Sequence, residues 1–394
     1  AGAGVTAVGA RDFLVAFNVN LNTTSTRRAN AIAFDVRERG RPKREGGGIT
    51  GKIIKDAKGK PVMIPGALKS VKAIGWFIEE YGVAQISMNL TNISITPVHV
   101  AFDVTSQKAE ARGIRVTGSE LVGLIPLQAM LDAGKYFLRK QKRSTGLDDK
   151  ELLKIAVKSM GLDDLKPFDP KEKIIEYMIN EDSDNNLVDM TLADFADETA
   201  SESPAPGGGS ISAYVGSLGV SLGTMVANLS SHKRGWDERW EEYSDWAEKG
   251  QALKDELLFL VDEDTRAFNK IMEGFGLPKG TEEEKKLRHN AIQEASKYAM
   301  QIPFRVMERS LESMQVMKAM AENGLEASVS DAGVGALCAR TAVMGAYLNV
   351  KINADGVDDK VFVNELLTKG TEIETNALKV EEEILQIVNQ KIGN

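Results

Sequence analysis

FLVAFNVNL, residues 13–21, alternates Phe13, Val15, Phe17, Val19 and Leu21 with smaller or polar residues. A period of two is the pattern of a strand with one buried face. STRRANAIAFDVRERG (25–40) follows as a helix closing at Gly40, and KAIGWFIEEYGVAQISMNLTN (72–92) reads as two strands turning at Tyr81 and Gly82. TPVHVAFDVTSQKAEARG (96–113) is a second helix and IRVTGSELVGLI (114–125) a fourth strand. The order β-α-β-β-α-β predicts a ferredoxin-like arrangement, with helices on one face of an antiparallel sheet. The basic, glycine-rich run from Arg41 to Gly66 is an excursion from that sheet, with a turn at KDAKGK.

Beyond Pro126 the helical period dominates. Asp169, Pro170 and Glu172 supply a cap, an N1 proline and an early acid. Thr191 with Asp194, and Thr281 with Glu284, have capping-box spacing. The polar run NEDSDNNL (180–187) marks a linker. The expected class is α+β: a ferredoxin-like domain with added helices over 1–180, a linker over 181–190, and an all-α bundle over 191–394.

A chain of 394 residues with 42% apolar side chains can bury a large core. A formal charge of −8 argues against binding nucleic-acid phosphates, so no nucleic-acid partner is expected. The single cysteine, Cys338, permits no intramolecular disulfide, and no Cys/His cluster has metal-ligand spacing, so no metal is expected. No signal pattern is present, and the longest apolar run, Ile211 to Leu229, is broken by Ser212, Ser217, Ser221 and Asn228. These readings point to a cytoplasmic protein without a membrane span.

Three stretches hold the candidate chemistry. In SPAPGGGS (203–210), Gly207, Gly208 and Gly209 permit close backbone approach and Ser210 can cap the helix that follows; free N–H groups at such a start suit an anion. Gly216, Gly219 and Gly223 then recur at helical spacing and would let another helix come close. In LLFLVDEDTRAFNKIMEGFG (257–276), Leu257, Val261, Phe268, Ile271 or Met272, and Phe275 form one stripe, and Asp264 falls on it. A carboxylate aimed inward must be paired, protonated or functional. Asp262 faces Arg266 at i,i+4 as a surface pair. In SVSDAGVGALCARTAVMGAYLNVKIN (328–353), Asp331 sits at a helix start, while Asn349 and Asn353 share a face and can hydrogen-bond a heterocycle or each other.

The remaining candidates are weaker. His99, His232 and His289 have no nucleophile or acid beside them in sequence; His99 reads as packing and His232 as the edge of a site. Trp236, Trp240, Tyr243 and Trp246 or Ala247 make a core or interface stripe, and Pro303 kinks a long helix and frees a backbone carbonyl.

FLVAFNVNL, GSELVGLIPL, PFDPKEKIIEY, SPAPGGGS, VDEDTRAF and GAYLNVKIN, in that order, resemble the formimidoyltransferase-cyclodeaminase family over essentially the whole chain. The resemblance implies a folate enzyme of histidine breakdown. Its two activities are formimino transfer from N-formimidoylglutamate to tetrahydrofolate, then cyclisation to 5,10-methenyltetrahydrofolate with loss of ammonia. It implies that the chain begins at the second transferase subdomain, so that transfer would need the absent first one. Asp264 matches the family's catalytic aspartate, with Asp331 and Asp262 as helpers. Gly207 to Ser210, Asn349 and Asn353 would line the site of a polyglutamylated tetrahydrofolate, and Gly4 would mark the edge of the transferase folate segment. A large homo-oligomer is implied as well. The rival expectations are a methenyltetrahydrofolate cyclohydrolase and a folate-binding scaffold without turnover.

Overall fold

Residues 14–47, 51–179 and 186–393 are described by the computed structural model; Phe13, Gly4 and linker residues 181–185 lie outside them. The chain divides into two compact units near residue 182, with Lys142–Asp148 grouped with the second rather than with its sequence neighbours.

In the first unit, β1 (Val15–Leu21), α1 (Thr26–Val36), β2 (Val71–Ile78), β3 (Val83–Leu90), α2 (Val98–Glu110) and β4 (Val116–Val122) follow the expected order. The strands lie side by side as β2-β3-β1-β4, each antiparallel to its neighbour. Phe17 pairs with Met88 on one side and Leu121 on the other. Val15, Phe17, Val19 and Leu21 are buried in one core with Ala29, Ile32 and Val36 of α1 and Ala101 and Ala109 of α2. Gly75 lets α1 lie against β2: a methyl there would come within 2.3 Å of the Ala29 and Asn30 backbone. The Asn30 side chain brackets the Gly75 peptide, donating to its carbonyl at 2.8 Å and accepting its N–H at 3.0 Å.

The other face of β1 departs from simple alternation, because Asn18 and Asn20 are buried too. Gln85 donates to Asn20 at 2.8 Å and to Glu120 at 3.1 Å, and Asn20 donates to Asp164 at 3.1 Å. The turn following α4 (Asp149–Met160, packed on α3, Leu127–Lys140) supplies Asp164 and lies against Gly118 of β4, so these amides are covered and satisfy one another. Among the described residues the Arg41–Gly66 excursion forms a two-residue ribbon, Arg41–Pro42 against Met63–Ile64, and two isolated bridges, Arg44 with Ile53 and Lys55 with Pro61.

The second unit has helices and no strand among its described residues, which makes the chain α+β. After the short α5 (Leu192–Thr199) come α6 (Gly208–Ser231), α7 (Trp240–Gly276), α8 (Glu282–Asn323), α9 (Val329–Asn353) and α10 (Lys360–Lys391). Thr281 and Glu284 close the capping box of α8, and Thr191 caps α5. Tyr243 is fully buried, stacked on Trp236 at 5.4 Å and donating to the Asn323 carbonyl. Helix α6 is long and apolar enough to cross a membrane by length and composition, yet most of it is buried against α7, α8 and α9.

The small residues of α6 create a close crossing. A methyl on Gly219 would sit 2.8 Å from the Gly335 carbonyl of α9, and one on Gly335 would sit 2.7 Å from the Gly219 carbonyl. Gly219→Val should therefore destabilise the second unit by about 2–3 kcal/mol, because a backbone carbonyl cannot rotate away. Chemical denaturation measures this, and the same change at Gly207, where a methyl meets open space, should cost far less.

Candidate active site

Helix α6 runs antiparallel to α7, so its first turn meets Asp264. Gly207 is the N-cap residue, with no side chain to offer, and Ser210 is the third helical residue rather than the cap. Asp264 supplies what Gly207 lacks: its Oδ2 accepts the free Ser210 N–H at 3.0 Å. The Ser210 hydroxyl lies 2.8 Å from the Val261 carbonyl, to which it donates, and 3.3 Å from the same Asp264 oxygen. Gly209 makes this possible, since a methyl there would lie 2.2 Å from Asp264 Oδ1. That Oδ1 accepts no hydrogen bond among the described residues, and Asp264 keeps partial exposure.

Burial pushes the Asp264 carboxyl above its ordinary range, and the two Ser210 hydrogen bonds pull the other way without cancelling it. The α6 dipole also favours negative charge at this helix start. The result is a carboxylate held in place yet closer to neutrality than a surface aspartate.

The apolar stripe of α7 leaves the core just past this point. Leu257 and Val261 are fully buried, whereas Phe268, Met272 and Phe275 are 38%, 53% and 52% exposed. Past Asp264 the buried face of α7 passes to Ala267 and Gly274, and of the later stripe residues Ile271 stays packed on the core.

The other sequence candidates scatter. Gly208 lies beside Asn349 of α9, a methyl there falling 3.1 Å from Asn349 Nδ2, which itself donates to the Gly345 carbonyl at 2.9 Å. Asn353 donates at 2.7 Å to the Ala299 carbonyl, the group that Pro303 leaves without its helical partner. Asp331 sits in the first turn of α9, about 27 Å along the helix from Asn349 at 1.5 Å per residue. The structure therefore does not bring Asp331 to Asp264. Asp262 is buried, accepts the Leu187 N–H at 2.6 Å, and is pushed upward chiefly by burial. It is not a surface pair: Arg266 donates instead to Glu263 at 3.1 Å and to Asn186 at 3.0 Å. Glu263, a residue the sequence reading passed over, is buried and accepts from Tyr298, whose phenol is pushed up to about 12 by burial first and by this bond second. Its only sequence signal is Arg266 at i,i+3.

His232, at the far end of α6, lines a separate cavity of about 350 Å³ with Asn228, Gln251 and Lys254. His99 packs on Tyr136 at 4.5 Å with its pKa lowered by burial, and His289 pairs with Asp358 on the surface. Among the described residues no three His, Cys, Asp or Glu side chains form a group able to hold a metal.

Residues 191–372 match the family model described as formiminotransferase-cyclodeaminase, and residues 16–180 that of the formiminotransferase domain. The formimidoyltransferase-cyclodeaminase of Gallus gallus is 38% identical over 363 residues, which are 92% of this chain and 63% of that protein. That of Dictyostelium discoideum is 36% identical, covering 98% of this chain and 68% of its own length. The methenyltetrahydrofolate cyclohydrolase of Methylorubrum extorquens is 36% identical over 203 residues, 52% of this chain and 98% of that protein. The chain thus spans somewhat less than two thirds of the avian relative.

Asn353→Ala strands the Ala299 carbonyl and should cost about 1–3 kcal/mol of stability, read by denaturant titration. Asn349→Ala, which removes only a bond within its own helix, should cost much less.

Proposed function

The chain belongs to the formiminotransferase-cyclodeaminase family, and we propose that its second unit is a formimidoyltetrahydrofolate cyclodeaminase. It closes 5-formimidoyltetrahydrofolate to 5,10-methenyltetrahydrofolate and releases ammonia. The observation that carries this reading is Asp264, clamped through one carboxylate oxygen at the start of α6 with the other left free.

In the reaction, N10 of the folate attacks the formimino carbon on N5, forming the new N10–C bond. Asp264 takes the N10 proton and returns it to the amine of the tetrahedral intermediate. The C–N bond to that amine breaks, ammonia leaves, and the positive charge of the amidinium reappears on the methenyl bridge. A carboxyl moved toward neutral pH by burial suits a group that must both accept and donate. The chemistry moves one proton out and back and calls for no metal. Ser210 and Gly209 are positioning residues, and the surface around Gly207, Gly208 and Asn349 is where the pterin would lie. Asp262 and Asp331 have no part in the step in this reading, and Asn353 acts in the fold.

For the first unit we propose a part in formimino transfer from N-formimidoylglutamate to tetrahydrofolate, supported by the match of residues 16–180. Its strand order and antiparallel pairing support a ferredoxin-like topology. A polyglutamylated folate as carrier, a cytoplasmic location and a homo-oligomer complete the reading; the exposed Leu348 and Ile352 of α9 support a subunit contact.

The test gives 5-formimidoyltetrahydrofolate to wild type and Asp264→Asn, following methenyl absorbance and ammonia together. Both products from wild type, and turnover about 10²- to 10⁴-fold lower in the variant, are expected. Loss of a supplied methenyl compound without ammonia release would assign the activity named for the Methylorubrum extorquens relative and overturn this reading. Folate binding with neither product would favour a scaffold.

The same variant has a stability signature. Because the Asp264 carboxyl is raised in the folded state, folding favours its protonated form; that contribution is complete below the unfolded carboxyl's pKa and is lost as pH rises through the folded one. Asp264→Asn should therefore melt no lower than wild type at neutral pH, with the difference shifting in wild type's favour on acidification. Gly209→Ala should lower kcat by about 10- to 100-fold by displacing the carboxylate, while Gly276→Ala, at the far end of α7 where a methyl meets open space, leaves it near wild type.

A further inference from the structure

Three adjoining cavities of about 440, 540 and 230 Å³ lie along α1 in the first unit. The first and second share Arg112, the first and third Arg27, and the second and third Arg41, so they form one groove. Its lining carries six cationic side chains, Arg27, Arg28, Arg41, Arg44, Lys108 and Arg112, against a single acid, Asp35, in a chain whose formal charge is −8.

The one acid is already committed. Asp35 Oδ2 accepts from Nε of Arg112 at 2.8 Å and from its Nη2, and Arg41 approaches Oδ1 at 3.5 Å. These bonds fix two guanidinium groups at the groove wall without neutralising the rest. Arg44 is steadied by the Gly51 carbonyl at 2.7 Å, a neutral partner. Arg27, Arg28 and Lys108 have no side-chain partner among the described residues. Like charges gathered in a concave site repel one another and focus a positive potential that an anion relieves.

We infer that this groove binds an organic anion bearing several phosphate or carboxylate groups. The planar guanidinium fork matches the paired oxygens of either group. The cavities are of the size that holds an extended small molecule rather than a single ion. The inference rests on the first unit alone and stands whether or not the second unit has cyclodeaminase activity.

The test is calorimetric titration of the full chain at low salt with tripolyphosphate and, separately, with citrate. At least one should bind saturably, weaken as salt rises, and bind about tenfold or more weakly to Arg27→Ala/Arg28→Ala. Lys108→Ala, on α2, should weaken binding too, whereas Lys72→Ala, on the exposed side of β2, should not. The tighter probe tells phosphate from carboxylate recognition. Absence of saturable binding by both probes, or equal affinity in wild type and the double variant, would overturn the inference.

Discussion

The second unit is organised around one hydrogen bond, from the Ser210 N–H of α6 to the Asp264 carboxylate of α7. A helix start leaves backbone N–H groups unpaired, and Gly207 has no side chain with which to pair them. The carboxylate is therefore a cap delivered from another helix, and the helix start is in turn the polar partner that lets a carboxylate sit among apolar side chains. Each group offsets part of the burial cost of the other. The arrangement needs the Asp264 side chain close to the α6 backbone, which is why the residue before Ser210 is Gly209.

The same closeness is maintained along the length of α6. Gly216 lies against Ser310 of α8, Gly219 against Gly335 of α9, and Gly223 against Met317 of α8. A helix with such small side chains gains little from its own hydrophobic area, but it can be surrounded on several sides at backbone distance. That position brings α9 alongside the glycine mouth, so that Asn349 meets Gly208. The glycine mouth and the glycine stripe are two ends of one packing requirement.

Much of the fold was legible because local rules and tertiary structure agreed. Period-two alternation placed Val15 to Leu21 in the core, and Thr281 with Glu284 formed the capping box that their spacing implied. Asp264 stood out because a charged residue on an apolar stripe needs an explanation. What could not be read was set by partners distant in sequence. Asn18 and Asn20 alternate as a solvent face would, but the Asp164 turn and Gln85 cover them. Asp262 and Arg266 have the spacing of a helical ion pair, yet the Leu187 peptide and Glu263 take one each. Asp331 and Asn349 read as members of one cluster only while the unbroken length of α9 was unknown. Asn353 on its helix face and the carbonyl freed by Pro303 were each legible, but not that one claims the other.

Asp262, Glu263 and Asp264 put three carboxylates on successive residues of one helix, and the 100° step between them sends each to a different neighbour. Asp262 holds the peptide at Leu187, and Glu263 is enclosed by Tyr298 and Arg266. Both are committed to the fold, one to backbone and the other to a phenol and a guanidinium. Asp264 differs because it keeps partial exposure where the other two are buried, and because α7 outruns the start of α6 at that level, exposing Phe268 one turn on. Burial alone would have marked all three acids as candidates. Partial exposure, at the level where the stripe leaves the core, separates Asp264 from the two acids committed to the fold.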